Sequence, residues 1–452
     1  MTLSTRTRPR LAGALGLGVT AALLAACGQS GDAAAEPSAT TEETAAPATE
    51  VATAKPRLVL TYDGGVQVLD ADTLELVADL PLEGFTRLNP AGDGRHVLVS
   101  TTGGFQVLDA GTWTEPHGDH THSYTGDPVL TDVLWPAETP GHAVRHEGRT
   151  ALFDDGTGQV TVVDSDELAD PDAETRDYTT PAAHHGVAVE LTDGTLVVSE
   201  GTEDARTGVR VLDAENTEIA AIDTCPGVHG EAVAADEAVV IGCEDGAVVW
   251  AGGALTKVTA PDAYGRIGNQ AGSEASPYVL GDYKSDPDAE LERPTRVSLI
   301  DTRDASLRLV DLPSSYTFRS LARGEHGEAL VLGTDGSLHV IDPEAGAVVR
   351  SIPVIDAWEE PEVWQDPRPA LTVLDGSVYV TDPATNSVHA VDVESGEVWL
   401  SAELEVTPNE LAGASGAVAV HAGHEHAGDE HAHEDEHGHE DEHAHEDEGA
   451  EG

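Results

Sequence analysis

Residues 66–73 read VQVLDADT, an alternating strand that ends on a hydrophobic residue and Asp and then turns. The phrase returns as FQVLDAGT at 105–112, VTVVDSDE at 160–167, VRVLDAEN at 209–216, VSLIDTRD at 297–304, LHVIDPEA at 338–345 and VHAVDVES at 388–395, with a degenerate copy, AVVWAGGA, at 247–254. Most copies follow a second short apolar run and a Gly or Asp turn, as in HVLVSTTGG at 96–104 and ALVLGTDG at 329–336. Each repeat therefore contains a hairpin, and a four-stranded unit of about 40–50 residues cannot bury both faces without stacking on neighbours, which points to an all-β propeller. Eight copies predict eight blades, seven being the alternative. With strands lettered a to d from the axis outward, the hairpins are b and c, and the segment after each Asp turn is d. The first repeat starts at strand b, at Leu58, so its strand a is expected from the C-terminal end, around Leu411 to Val420, closing the ring without an exposed edge.

Composition agrees with short, turn-rich strands: aromatics are 4% of the 452 residues and glycines number 47. With 83 Asp and Glu against 23 Lys and Arg, the net charge of −60 excludes a nucleic-acid or anionic-membrane surface. Without the 13 acids of 421–452 and the three arginines of 1–26, the remainder still carries −50. This reads as a solvated surface with no catalytic meaning.

The chain opens with Arg6, Arg8 and Arg10 and an apolar run from Leu11 to Ala26, the layout of a secretory signal too short to span a membrane comfortably. Leu24-Ala25-Ala26-Cys27 resembles a bacterial lipobox, which predicts a signal peptide at 1–26 and a lipidated Cys27. Residues 27–55 then form a disordered linker of Ala, Thr, Glu, Ser and Pro, residues 56–420 the propeller, and residues 421–452 a disordered tail. This places the protein outside the cytoplasm, held at the outer face of the cell membrane by lipid alone. In that oxidising compartment Cys225 and Cys243 are expected to pair, closing a loop worth roughly 3 kcal/mol; a thiolate metal pair is the alternative.

Propellers act at the channel mouth where strands a begin. Counting nine residues back from strand b reaches His142 and His229 in the third and fifth repeats, and eleven back reaches His185 in the fourth. Three consecutive repeats thus place a histidine at one position. HGDHTH, with His117, Asp119, His120 and His122, is read as lying in the d-to-a connection before His142, on the same rim, as are Asp154 and Asp155 in a b-to-c turn. Three imidazoles and an oxygen donor suit Zn²⁺. His146 is placed towards the far a-to-b turn and His184 on the opposite side of the strand from His185, while His96, His326, His339 and His389 read as structural. A second signal is the tail, where His421, His424, His426, His431, His433, His437, His439, His443 and His445 alternate with acids in a tract too polar to fold, suited to loose capture and release of metal.

Together, HGDHTH, GHAVRHEG at 141–148 followed by ALFDDGTGQVTVVD, HHGVAVEL at 184–191, and CPGVHGEA at 225–232 followed by IGCEDG resemble the AztD-type extracytoplasmic zinc metallochaperones over roughly residues 57–420. The resemblance implies a non-enzymatic propeller that binds zinc and passes it to the solute-binding protein of a zinc ABC importer. Carried over by motif, the ligands are His117, His120 and His122 on a loop and His142, His185 and His229 on the blades. This chain departs from the pattern in its lipobox and its C-terminal histidine tract. Two other readings remain at this point: a hydrolase-like zinc enzyme using three histidines and an open position, and an interaction propeller with an incidental metal tail.

Overall fold

A computed structural model describes residues 48–418, so the signal peptide, Cys27, most of the linker, residues 419–420 and the histidine tail lie outside the described residues. Strands dominate, in four-stranded antiparallel sheets that follow one another along the chain. The third is representative, with Pro140–His146, Arg149–Asp154, Gln159–Asp164 and Thr175–Thr179 in spatial order. Among the described residues there are eight such sheets, the fifth carrying an added short strand, Gly265–Arg266.

The recurring Asp explains the recurring turn. Its carboxylate accepts backbone N–H groups just beyond strand c: Asp70 from Asp72 and Thr73, Asp213 from Glu215 and Thr217, Asp342 from Glu344 and Ala345. Such side-chain capping fixes the direction change that starts strand d.

Among the described residues the core is divided. The apolar side chains gather in packets between adjacent sheets, such as Val160, Val162 and Phe153 of the third against Ala188 and Val198 of the fourth. The last packet joins Leu58, Leu60 and Leu69 of the first sheet to Val388 and Ala390 of the eighth, which closes the ring. The inner strand of the first sheet is Leu411–Ala414, antiparallel to Arg57–Leu60, so the predicted closure from the C-terminal end holds.

Two expectations fail here. In the second sheet, strand d is Val129–Pro136 and not the segment directly after Asp109. Between them an additional hairpin, Thr112–His117 with His120–Thr125, stands apart from the sheet. HGDHTH therefore lies in the c-to-d connection and not in the d-to-a connection. The linker read over 27–55 also contains structure, because Thr49–Val51 pairs with Ser123–Thr125 as the third strand on that hairpin. In an up-and-down sheet, c-to-d and a-to-b turns share one rim and d-to-a and b-to-c turns the other. Arg95, in the a-to-b turn of the second sheet, stacks its guanidinium 4.1 Å from the Trp113 ring, fixing the hairpin to that rim.

Candidate metal centre

His142, His185 and His229 meet at the opposite rim, each where the innermost strand starts and its pairing is interrupted. Register shifts between Pro140 and Ala143 and between His229 and Glu231 mark the first and third, and His185 precedes the short strand Ala188–Glu190. Bulges of this kind turn a side chain out of the ladder. Gly230 makes one of them: its φ is +71°, and a Cβ there would fall 2.6 Å from the Gly268 carbonyl oxygen. The similar-looking Gly186 has another cause, the Phe153 ring, which would lie 2.2 Å from an added Cβ.

The ring centroids lie 5.2 Å apart for His142 and His185, 5.5 Å for His142 and His229, and 4.9 Å for His185 and His229. One nitrogen from each ring falls within 4.8 Å of the others. Of their other nitrogens, two are hydrogen-bonded and the third lies beside a carboxylate. His229 Nδ1 donates to the Gly268 carbonyl at 2.5 Å, His185 Nδ1 lies 2.5 Å from Asp155 Oδ2, and His142 Nδ1 lies 3.0 Å from Glu231 Oε2. A neutral imidazole whose Nδ1 carries the proton presents a lone pair at Nε2. His185 Nε2 and His229 Nε2 face each other at 3.1 Å, a distance that either a shared proton or a metal cation between the two nitrogens would satisfy. Tetrahedral zinc with nitrogen ligands at about 2.0–2.1 Å brings ligand atoms to roughly 3.3 Å from one another, which this spacing fits.

Electrostatics agree. Burial, with smaller contributions from the positive charges of His142 and His185, pushes the His229 ring down to about 2, against the opposing Gly268 carbonyl. His229 is therefore neutral, the form in which an imidazole can bind a metal. Burial also disfavours a charged His142, but Glu231, by charge and hydrogen bond, outweighs it with help from Asp155 and leaves the pKa raised. Arg87, Glu138, Phe85 and Trp364 line an adjoining cavity of about 550 Å3 that reaches His142, His185 and Asp155. A fourth ligand from solvent or from another protein can enter there.

The structure thus separates the proposed ligands into two groups. His117, His120 and His122 cluster on the additional hairpin, on the opposite rim from His142, His185 and His229. Asp155 stands behind His185, holding its ring and accepting Gly186 N–H at 3.2 Å, and Asp119 lies beside His120 Nδ1 at 3.2 Å; neither carboxylate belongs to a converging group. His146 pairs with Glu237 at 2.9 Å, and His184 is buried between the Ala182 carbonyl and Ser199. Glu231, the Gly268 carbonyl and Glu50, whose Oε1 lies 2.7 Å from His122 Nδ1, carry no motif that marks them in the sequence. Glu231 follows His229 by two residues across a register shift, so simple strand alternation does not place it beside the ring.

Asp154 organises the turn that presents Asp155. It accepts hydrogen bonds from Glu138 N at 3.0 Å, Thr139 N at 2.8 Å, Gly156 N at 3.0 Å and the Thr157 hydroxyl at 2.7 Å. Burial raises its pKa, but these bonds outweigh burial and hold it below the ordinary value. A depressed carboxylate stabilises the fold above its unfolded pKa, about 3.9, and loses that contribution as pH falls through the lower folded value. Asp154→Asn should therefore cost about 1–3 kcal/mol at pH 7, with the difference from the parent shrinking below about pH 3.9. Denaturant melts at pH 7 and pH 3.5 check this, and an equal gap at both would contradict it.

Cys225 and Cys243 lie with their sulfurs 2.07 Å apart, joining the d-to-a connection that leads to His229 to the end of strand b in the same sheet. Glu244 N–H donates to the Pro226 carbonyl at 2.8 Å beside it. Thiol counting in denatured, unreduced mature protein should find neither cysteine free, and Cys225→Ser with Cys243→Ser should cost roughly 3 kcal/mol. Two free thiols in protein from an oxidising compartment would contradict the pairing.

No family model matches the chain. It is 26% identical over 386 residues to the zinc chaperone AztD of Citrobacter koseri, covering 81% of this chain and 89% of that protein. The crystal structure of Citrobacter koseri AztD aligns with a TM-score of 0.69 at 25% identity, covering 80% of this chain and 98% of that one, and the apo form of AztD gives 0.68. The dihydro-heme d1 dehydrogenase NirN, at 12% identity and a TM-score of 0.50, shares the fold alone.

Proposed function

We propose that the protein is an extracytoplasmic zinc metallochaperone that binds Zn²⁺ through His142, His185 and His229 and passes it to the solute-binding protein of a zinc ABC importer. The carrying observation is three imidazoles whose Nδ1 atoms face outer partners while one nitrogen of each converges beside a cavity. Likeness to the zinc chaperone AztD over most of both chains supports the same reading. Three protein ligands and one open position suit transfer: an incoming ligand from the acceptor can bind before a chaperone ligand leaves. The nearest carboxylates, Asp155 and Glu231, are held against imidazoles and so orient ligands in place of acting as bases, which favours a carrier over a hydrolase. The hairpin group His117, His120 and His122 is a second, more exposed zinc site on the other rim.

Localisation follows the same reading: Cys27 is the lipid anchor that keeps the chaperone at the outer face of the membrane. Among the described residues no helix is long and apolar enough to cross a membrane. Transfer is tested by mixing zinc-loaded protein with the apo solute-binding protein in the presence of a chelator that traps free zinc. Zinc reaching the acceptor faster than it reaches the chelator alone supports direct hand-over; acceptor loading limited by release into the chelator would overturn it.

A further inference from the structure

We propose that Glu237, bonded to His146 and Thr192, is a positioning residue for the zinc site, acting from the far ends of the three strands whose near ends present the histidines. This rests on the reading of His142, His185 and His229 as zinc ligands and names a residue that sets their spacing.

The inner strands of the third, fourth and fifth sheets run from the mouth, where the histidines sit, to the far rim. His146 ends the strand Pro140–His146, Thr192 lies just beyond Ala188–Glu190, and Glu237 lies just beyond His229–Ala234. One carboxylate joins these three ends. Glu237 Oε1 accepts the Thr192 N–H at 2.9 Å and lies 2.9 Å from His146 Nε2, while Glu237 Oε2 accepts the Thr192 hydroxyl at 2.8 Å. The His146 side chain is 3% exposed, so its bond to the carboxylate is shielded from water and strengthened by the low local dielectric. Burial raises the Glu237 pKa, but the Thr192 N–H, the His146 ring and the Thr192 hydroxyl outweigh it and hold the carboxyl below its usual value. The backbone is bent to make this contact. Asp236 and Glu237 both have positive φ, +58° and +54°, a conformation that side-chain-bearing residues keep only where the surroundings impose it.

The link to the zinc site is mechanical. Each ligand histidine comes from a different sheet, so ladder hydrogen bonds fix the position of each ring within its own sheet and not the distance between rings. Between these sheets lie apolar side chains, Val144, Val187 and Val233 among them, whose attraction has no preferred direction. The bonds to Glu237 are directional and tie all three sheets at once. From His142 to His146 is about 13 Å along the strand, short enough for a stiff inner strand to carry a displacement from one end to the other. Zinc at the mouth and Glu237 at the far rim then favour the same arrangement of three strands, and each must stabilise the other.

The test uses the full chain carrying one equivalent of Zn²⁺. Glu237→Ala should weaken that equivalent by roughly 2–30-fold in competition with a chelator. Glu237→Gln should bind as the parent does, because its amide oxygen can still accept from Thr192 N–H and His146. Hydrogen exchange in the parent supplies a readout that needs no variant. Zinc should slow exchange of the Thr192 amide more than that of the Thr217 amide, which Asp213 holds at 2.8 Å on the same rim. Parental affinity in Glu237→Ala, or equal slowing of both amides by zinc, would overturn the proposal and leave the ligand assignment standing. If His142→Ala binds the first equivalent as the parent does, the ligand assignment fails and the proposal with it.

Discussion

Replacing any one of His142, His185 and His229 with alanine should weaken the tight zinc site by about 10²–10³-fold. Four-ligand protein zinc sites bind with about 10–16 kcal/mol, or roughly 2.5–4 kcal/mol for each ligand, and every 1.4 kcal/mol is tenfold. The loss should be of this size at each position because the three rings converge on one point and each carries its own outer partner. His326, exposed and outside both groups, is the control and should leave affinity unchanged on substitution by alanine. Competition titration with a chelator of known affinity decides the matter, and three variants equal to the parent would remove these residues from the site.

Asp155→Asn and Glu231→Gln should each weaken zinc binding by about 10–100-fold, less than loss of a ring. A carboxylate at Nδ1 fixes the tautomer, directs Nε2 inward and raises the ligand's basicity, and losing such support costs that much in metal sites generally. Asp155 is the sharper test, because its oxygen is 2.5 Å from His185 Nδ1 and outside the converging set. Were it a zinc ligand, Asp155→Asn would match the histidine variants. A loss for Asp155→Ala that equals the loss for His185→Ala would likewise move Asp155 into the coordination sphere.

The ring and its main histidines were legible because both depend on local, repeated chemistry. The Asp at the end of strand c caps its turn by accepting backbone N–H groups two to four residues on, so a short phrase marks every sheet but the fifth, whose copy is degenerate. Constant spacing from strand b then exposes His142 and His229, with His185 displaced by a longer turn. The additional hairpin escaped for a physical reason. TWTEPH and HTHSYT alternate as an outer strand does, and side-chain periodicity carries no information about which neighbour a strand will pair with. Placing HGDHTH on the wrong rim followed from that one substitution of hairpin for strand d. Glu50 was hidden in a segment whose composition looks like a tether, and its strand exists only because the hairpin offers an edge to pair with. The Gly268 carbonyl is a backbone group, so residue type gives no signal for it.

The central claim is that one zinc ion sits among His142, His185 and His229 with a fourth position facing the cavity. Anomalous diffraction at the zinc edge, from crystals of the protein carrying one equivalent of zinc, tests it most directly. The account predicts a single strong peak about 2.0–2.1 Å from one nitrogen of each ring, with Asp155 and Glu231 still against the Nδ1 atoms. A first-equivalent peak on the hairpin at His117, His120 and His122, with none between the three channel histidines, would contradict it.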